Sequence, residues 1–121
     1  MPKKNIAQDF GQYAEMVAAD YLVKKGFSIL VQNFRYKRFE IDLIVKKGKL
    51  IVFLEVKARK NNLFGNPEAF VGQKKIRALR LAAAHYLRMQ NSWQAIRFDI
   101  IAVLGSKEKV TEILHLEDGF Y

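Results

Sequence analysis

The chain has 121 residues, half of them hydrophobic, which fits one domain over residues 1–121 with a buried core and excludes a disordered chain. Its 21 lysines and arginines against 12 acidic residues give a net charge of +9, which favours polyanionic partners, nucleic acid before anionic membrane, although solubility alone also accounts for such a charge. The absence of cysteine excludes disulfides and thiolate metal sites and suits a reducing cytoplasm.

The first predicted element is a helix over about Asp9–Lys25, where apolar residues recur at the spacing of an amphipathic helix. Asp9 is suited to cap its N-terminus and Gly26 to close its C-terminus. A strand is predicted next, over about Ser28–Arg35. The N-terminal stretch has no apolar segment typical of a secretory signal, so we expect a cytoplasmic protein with no membrane partner.

A β-hairpin follows, formed by FEIDLIV (Phe39–Val45) and LIVFLEVKA (Leu50–Ala58) around a glycine turn. We predict a two-residue turn at Lys47 and Gly48. This turn pairs Lys46 with Lys49, Asp42 with Phe53, and Glu40 with Glu55.

A second helix is predicted over about Gly72–Met89. This helix has a predicted core stripe of Ile76, Leu79, Ala83, Tyr86 and Leu87, with Lys74, Arg77 and Arg88 on its opposite side. The apolar strand AIRFDIIAVL (Ala95–Leu104) and the weaker strand KVTEILHL end the chain. The element order is therefore α-β-β-β-α-β-β. It predicts an α/β fold, a mixed β-sheet with flanking helices.

The hairpin carries four charged side chains on one face of the predicted sheet: Glu40, Asp42, Glu55 and Lys57. Clustered carboxylates repel one another unless a cation lies among them. Lys57 is one such cation, and a hard divalent ion such as Mg²⁺, which prefers oxygen ligands, is another.

We predict that Asp42 and Glu55 bind this ion together, with help from the carbonyl of Val56. Lys57 would then hold or activate the attacking water. Glu15, at the edge of the apolar stripe of the first helix, is a candidate fourth member that binds the ion directly or through water. A metal that polarises a phosphodiester and lowers the pKa of water is sufficient for hydrolysis.

The pattern D-x₁₂-ExK with an upstream helical glutamate resembles the PD-(D/E)xK nuclease superfamily. More closely, nearly the whole chain resembles the YraN-type (UPF-class) family of small bacterial endonuclease-like proteins, which is similar in fold to archaeal Holliday-junction resolvases. The segments that carry this resemblance are GQYAEMVAADYLVKKGFSILVQNFR, EIDLIV, VFLEVKAR, FGNPEAFVGQKK and RFDIIAV with ILHLEDGFY.

The resemblance implies a restriction-endonuclease-like core, metal-dependent hydrolysis and a homodimer. It also implies that Glu15, Asp42, Glu55 and Lys57 are the catalytic residues, with Gln73 or Lys75 as secondary contacts. Two positions depart from the pattern. Ile41 replaces the proline that precedes the aspartate, and Phe39 replaces an expected glycine and narrows access to the site.

Lys37, Arg38, Arg59 and Lys60 bracket the predicted acidic patch at the strand ends, which suits a polyanion that crosses it. The basic stripe of the second helix, Lys74, Arg77 and Arg88, is a candidate phosphate track, although solvation alone explains such a face equally well. With Gln73 and Lys75, which the resemblance adds, the candidate nucleic-acid contacts are Lys37, Arg38, Arg59, Lys60, Gln73, Lys74, Lys75 and Arg77. For Glu40 we favour a flanking role or an ion pair with Arg38 or Arg59. His85, His115 and Trp93 fit structural roles, and Phe64 is an isolated aromatic candidate. Arg97 and Asp99 fit a strand-end ion pair.

The leading hypothesis is a Mg²⁺- or Mn²⁺-dependent endodeoxyribonuclease, with branched or damaged DNA as candidate substrate. A nuclease-fold module that binds nucleic acid without hydrolysis is the alternative. A protein-interaction subunit whose carboxylates no longer act is the third possibility.

Overall fold

The computed structural model describes residues 6–61, 72–90 and 95–118. Within them lie two helices and a five-stranded sheet in the predicted order, and Phe64 and Trp93 fall outside. Neither helix is long and apolar enough to cross a membrane. The elements are α1 (Ile6–Lys24), β1 (Ser28–Tyr36), β2 (Phe39–Lys47), β3 (Leu50–Arg59), α2 (Gln73–Gln90), β4 (Ala95–Gly105) and β5 (Val110–Leu116).

The five strands follow one another across the sheet in chain order. All neighbours are antiparallel except β3 and β4, which are parallel. A parallel pair needs a crossover connection, and α2 supplies it. The predicted α/β class, with a mixed sheet between helices, is therefore confirmed.

Each helix covers one face of the sheet. On β3, the alternate residues predicted to share a face, from Leu50 to Ala58, pack on the side of α1. Ile51 and Phe53 point the other way and pack against α2. The predicted stripe of α2 also lies in this second core, with Leu87 at its edge, whereas Lys74, Arg77 and Arg88 are exposed.

The start of α1 differs from the prediction. The helix begins at Ile6, so Asp9 lies in its first turn and does not cap it. The carboxylate of Asp9 instead accepts a hydrogen bond from Lys107 at 2.7 Å. Gly26, at φ +96°, ends the helix as expected, because only the left-handed conformation allows the N–H of Phe27 to bond back to the carbonyl of Leu22.

The predicted hairpin register is wrong by one position in the turn. Lys47 pairs with Leu50 and Lys46 with Ile51, so the loop residues are Gly48 and Lys49. Gly48 has φ +60° at the first loop position, which is where a type II′ turn requires glycine. Phe53 consequently pairs with Ile44 and not with Asp42. This register shifts each partner by two residues, so the faces assigned to the residues of β3 are unchanged.

Candidate metal centre

Asp42 lies where β2 leaves β3. The pairing of these strands ends at Leu43 opposite Leu54, and Asp42 is the next residue of β2. Its Oδ2 accepts a hydrogen bond from the backbone N–H of Val56 at 2.7 Å. A carboxylate thus takes the place of the backbone carbonyl that accepts such a bond in a regular ladder.

The in–out alternation of β2 breaks at Asp42. Leu43 packs on the side of α1 and Ile44 on the side of α2, as neighbours on a strand do. Ile41, however, also packs on the side of α2. Asp42 is therefore not held on the face that strict alternation assigns to it, and its carboxylate reaches Glu15 of α1.

Three carboxylates meet at this point. One carboxylate oxygen from each of Glu15, Glu40 and Asp42 can be chosen so that all three lie within 4.8 Å of one another. Glu15 comes from α1 and the other two from β2, so the cluster joins the helix to the sheet. These three residues, which we call the acidic cluster, could hold a metal ion.

Asn33 of β1 bridges two members of the acidic cluster. With its amide nitrogen directed at the carboxylates, which is the orientation that pairs donors with acceptors, it donates to Glu15 Oε1 and Glu40 Oε1, each at 2.8 Å. Asn33 has φ +54°, a left-handed conformation that asparagine tolerates better than most residues. In the β1–β2 register it lies between Gln32 and Phe34, and so opposite Asp42.

Burial and mutual repulsion make the acidic cluster unfavourable when all its carboxylates are ionised. Burial, followed by the nearby charge of Glu55, raises the pKa of Asp42 to about 7. The Val56 N–H opposes this rise without cancelling it. Burial, Glu40 and Glu55 likewise raise the pKa of Glu15. A cation among these oxygens would relieve the repulsion.

Glu55 lies beside the acidic cluster and is paired with two lysines. Lys75 Nζ is 2.5 Å from Glu55 Oε1, and Lys57 Nζ is 3.5 Å from the same oxygen. Burial lowers the pKa of Lys57, although Glu55 opposes this shift. The four predicted catalytic residues are thus neighbours, but Glu55 is engaged by ammonium groups while Glu15 and Asp42 meet other carboxylates.

Glu40 has a larger part in this arrangement than its sequence context indicated. We expected it to pair with Arg38 or Arg59, but its ion pair is with Arg35 at 3.2 Å. Arg35 stands opposite Glu40 in the β1–β2 register. The predicted hairpin covered only β2 and β3. Pairing between β1 and β2 is the signal that would have identified Arg35 as the partner of Glu40.

The predicted nucleic-acid contacts lie at the same end of the sheet as the acidic cluster. Lys37 and Arg38 form the β1–β2 turn, with their cationic groups 5.4 and 5.9 Å from the ring centres of Tyr36 and Phe39. Arg59 and Lys60 are at the end of β3, and Arg59 donates to the carbonyl of Ala58. Gln73, Lys74, Lys75 and Arg77 lie on the exposed side of the start of α2.

A second polar cluster lies between β4, β5 and α1. Arg97 and Asp99 form the predicted ion pair, with two contacts of 2.9 Å, and Asp99 is fully buried. His115 Nε2 is 2.7 Å from Asp99, and its Nδ1 is 3.3 Å from the hydroxyl of Tyr21. His115 therefore connects β5 to β4 and to α1, as the structural role expected for it requires. His85 stacks on Tyr36 with ring centres 4.3 Å apart.

Fold and site together define a class: a small α/β protein with an acidic cluster that could hold a metal ion at the end of its central strands. A family model described as "Uncharacterised protein family UPF0102" matches residues 14–103, and the chain belongs to this family. That range includes Glu15, Asp42, Glu55 and Lys57.

Its relatives match over nearly their whole length. A UPF0102 protein of Geotalea daltonii is 42% identical over 120 residues, which cover 97% of this chain and 93% of the relative. One of Christiangramia forsetii is 39% identical, covering 93% of this chain and 94% of the relative. One of Legionella pneumophila is 36% identical, covering 94% and 98%.

Proposed function

We propose that this protein is a metal-dependent DNA endonuclease that hydrolyses phosphodiester bonds and belongs to the PD-(D/E)xK superfamily, with the archaeal Holliday-junction resolvases among its structural relatives. The observation that carries the proposal is the meeting of Glu15, Glu40 and Asp42 within 4.8 Å, beside the Glu55–Lys57 pair. Carboxylates crowded in this way next to a lysine of lowered pKa are typical of a catalytic centre.

The donor set fits Mg²⁺ or Mn²⁺. All the side-chain ligands offered are carboxylate oxygens, which hard divalent cations prefer. Asp42 and Glu55, with Glu15 and the carbonyl of Val56, are the proposed ligands, and the geometry of the acidic cluster adds Glu40. When bound, the ion supplies charge that polarises the phosphodiester and lowers the pKa of the attacking water.

The other steps of hydrolysis are carried out by side chains of the protein. Lys57, largely buried and with a lowered pKa, orients the attacking water. Once its ammonium has released a proton to solvent, the neutral amine takes up the proton of that water. Its ammonium form then offsets the negative charge that develops on the phosphate. Asp42 stays in position because the N–H of Val56 holds one of its oxygens.

DNA is the proposed substrate, with branched or damaged DNA as its preferred form. The net charge of +9 and the basic residues at the β1–β2 turn, the end of β3 and the start of α2 support a polyanion that crosses the acidic cluster. We further propose that the protein acts in the cytoplasm, as a homodimer and without a membrane partner.

Cleavage assays test the proposal directly. The purified protein is incubated with branched and linear DNA in the presence of Mn²⁺, beside the variants Asp42→Ala and Lys57→Ala. We expect each substitution to reduce cleavage at least about 100-fold, because each removes a group that acts in the transition state. Cleavage that persists in both variants would assign the activity to a contaminant and overturn the proposal.

A second candidate is a nucleic-acid-binding module of the same fold with little or no hydrolysis. The observation in its favour is the Lys75–Glu55 ion pair of 2.5 Å, which neutralises one predicted ligand without a metal. Tight, salt-sensitive DNA binding without Mn²⁺-stimulated cutting would support this candidate.

A further inference from the structure

Lys75 and Lys57 share one carboxylate oxygen, but they hold it in different ways. Lys57 lies on β3, two residues from Glu55, and its side chain is 14% exposed. Lys75 lies on a different element, in the first turn of α2, and its side chain is 44% exposed. Glu55 itself is 6% exposed. The buried acid is therefore bound by one enclosed lysine and by one lysine that is open to water.

The two ammonium groups are not equally able to leave Glu55. Displacing Lys57 would strand a charge in a largely buried position, which is costly. Lys75 has a long flexible side chain and nearly half of it already meets solvent, so its ammonium can move into water with little loss of hydration. Lys75 is consequently the exchangeable partner of Glu55.

We propose that Lys75 is a competing counter-cation that holds Glu55 while no divalent ion is bound and moves to a DNA phosphate when the ion arrives. This inference rests on the proposed function, because it takes Glu55 as a metal ligand. A divalent cation at the acidic cluster repels the Lys75 ammonium and neutralises the carboxylate that attracts it. A phosphate draws the ammonium in the same outward direction.

The consequence is a coupling between two ligands through one side chain. DNA that binds Lys75 exposes Glu55 to the ion, and the ion that binds Glu55 releases Lys75 to DNA. Each ligand must then raise the affinity for the other by the same factor. Lys75 is a positioning residue in this scheme, since it acts through Glu55 and not on the ion.

The test measures Mn²⁺ affinity without DNA, by calorimetry, for the wild type, Lys75→Met, Lys75→Arg and Lys74→Met. Lys74 is the matched control, because it is an exposed neighbour with the same charge, whereas the ion pairs of Glu55 are with Lys57 and Lys75. We expect Lys75→Met to bind Mn²⁺ about three- to fivefold more tightly, the upper part of the range for a partly exposed ion pair. Lys75→Arg keeps the competition and should stay within about twofold of the wild type, as should Lys74→Met.

A second titration repeats the measurement with a short duplex oligonucleotide and Ca²⁺ or Mn²⁺. DNA should raise ion affinity in the wild type and raise it less in Lys75→Met. If Lys75→Met binds Mn²⁺ no more tightly than the wild type, or if Lys74→Met gains as much, the inference is overturned while the metal site stands. If the wild type binds no Mn²⁺ and Asp42→Asn behaves identically, the proposed metal site is wrong, and both the proposed function and this inference are overturned.

Discussion

Asp42 and Asp99 are aspartates of the same sheet with opposite surroundings. Asp99 is fully buried on β4 and accepts hydrogen bonds from Arg97, from His115 and from the backbone N–H of Asp118. Asp42 on β2 accepts a hydrogen bond from the Val56 N–H and otherwise faces the carboxylates of the acidic cluster.

Their pKa values diverge accordingly. Burial acts to raise the pKa of both carboxyl groups. At Asp99 the hydrogen bonds from His115 and Arg97 outweigh burial and hold the pKa below its ordinary value. At Asp42 the nearby charge of Glu55 adds to burial and the pKa rises to about 7.

The difference separates a carboxylate that is satisfied within the fold from one that could accept a cation. A carboxylate with a full set of donors stabilises the fold and has little left to offer a ligand. A carboxylate surrounded by other carboxylates destabilises the ion-free fold, and such an arrangement is typical of a site that binds a cation.

The largest expected effect comes from the same chemical change at the two positions. Asp99→Asn should lower the free energy of unfolding by about 3 kcal/mol, because it removes the buried carboxylate that binds Arg97 and His115 and leaves Arg97 only its 3.6 Å ion pair with the exposed Glu117. Asp42→Asn should leave the stability of the metal-free protein unchanged or raise it. Urea denaturation in the presence of a chelator measures both. Equal losses would contradict the distinction drawn between the two aspartates.

A second prediction disrupts the polar cluster around Asp99 by changing the backbone of the turn between β4 and β5. Gly105, at φ +119°, lies so close to the β5 side of its turn that an added Cβ would be 2.3 Å from the carbonyl oxygen of Lys109. Gly105→Ala should therefore cost about 2 kcal/mol or more, and should displace the strand that carries His115. Gly48→Ala is the control, with positive φ but open space around the new Cβ, and should cost only about 1 kcal/mol. Thermal denaturation compares them, and similar losses would show that φ alone matters.

Much of this fold follows from sequence periodicity. The order of elements, the stripe of α2 and the alternation of β3 were all predicted, because each is a local pattern repeated over many residues. The turn was misplaced by one residue, since Lys47-Gly48 and Gly48-Lys49 are equally plausible two-residue loops until the preference for glycine at the first position is applied.

The structure brings Glu15, Asp42, Glu55 and Lys57 near one another, as the sequence led us to expect, but their contacts were not predicted. Glu55 and Lys57 could be grouped because residues two apart on a strand share a face, whereas Asp42 departs from strict alternation and reaches Glu15 of α1. The roles of Asn33 and Glu40 could not be predicted, because they depend on the left-handed conformation of Asn33 and on pairing between β1 and β2. Lys75 was expected near the site only from the family resemblance, and its ion pair with Glu55 depends on how the crossover helix docks, which no local pattern specifies.

The third prediction concerns pH. Because the folded protein holds a proton on Asp42 up to about pH 7 and the unfolded chain releases it near pH 4, stability of the metal-free protein must fall as pH rises through this interval. One pKa unit corresponds to ~1.4 kcal/mol, so a loss of at least about 1 kcal/mol is expected between about pH 5 and about pH 8. Glu15 adds a change of the same sign, whereas Asp99 gives the opposite sign at lower pH.

Urea denaturation with a chelator across this pH range measures the slope, and Asp42→Asn should flatten it. Saturating Mn²⁺ should also restore stability at high pH, since the ion replaces the proton among the carboxylates. A wild-type protein whose metal-free stability rises from about pH 5 to about pH 8 would contradict the assignment of a raised pKa to Asp42.

The smallest expected effect tests how the acidic cluster is held together in the absence of an ion. Asn33→Gly keeps the left-handed conformation at φ +54° and removes the amide that bridges Glu15 and Glu40. We expect it to cost about 0.5–1 kcal/mol in the metal-free protein. Asn33→Asp replaces the donor with a further negative charge and should cost more, with most of the loss recovered in Mn²⁺. The bridging amide opposes the same repulsion between carboxylates that the ion would relieve, so its loss should matter less when Mn²⁺ is bound. If both variants instead lose the same stability with and without Mn²⁺, the contribution of Asn33 comes from its backbone conformation and not from its amide.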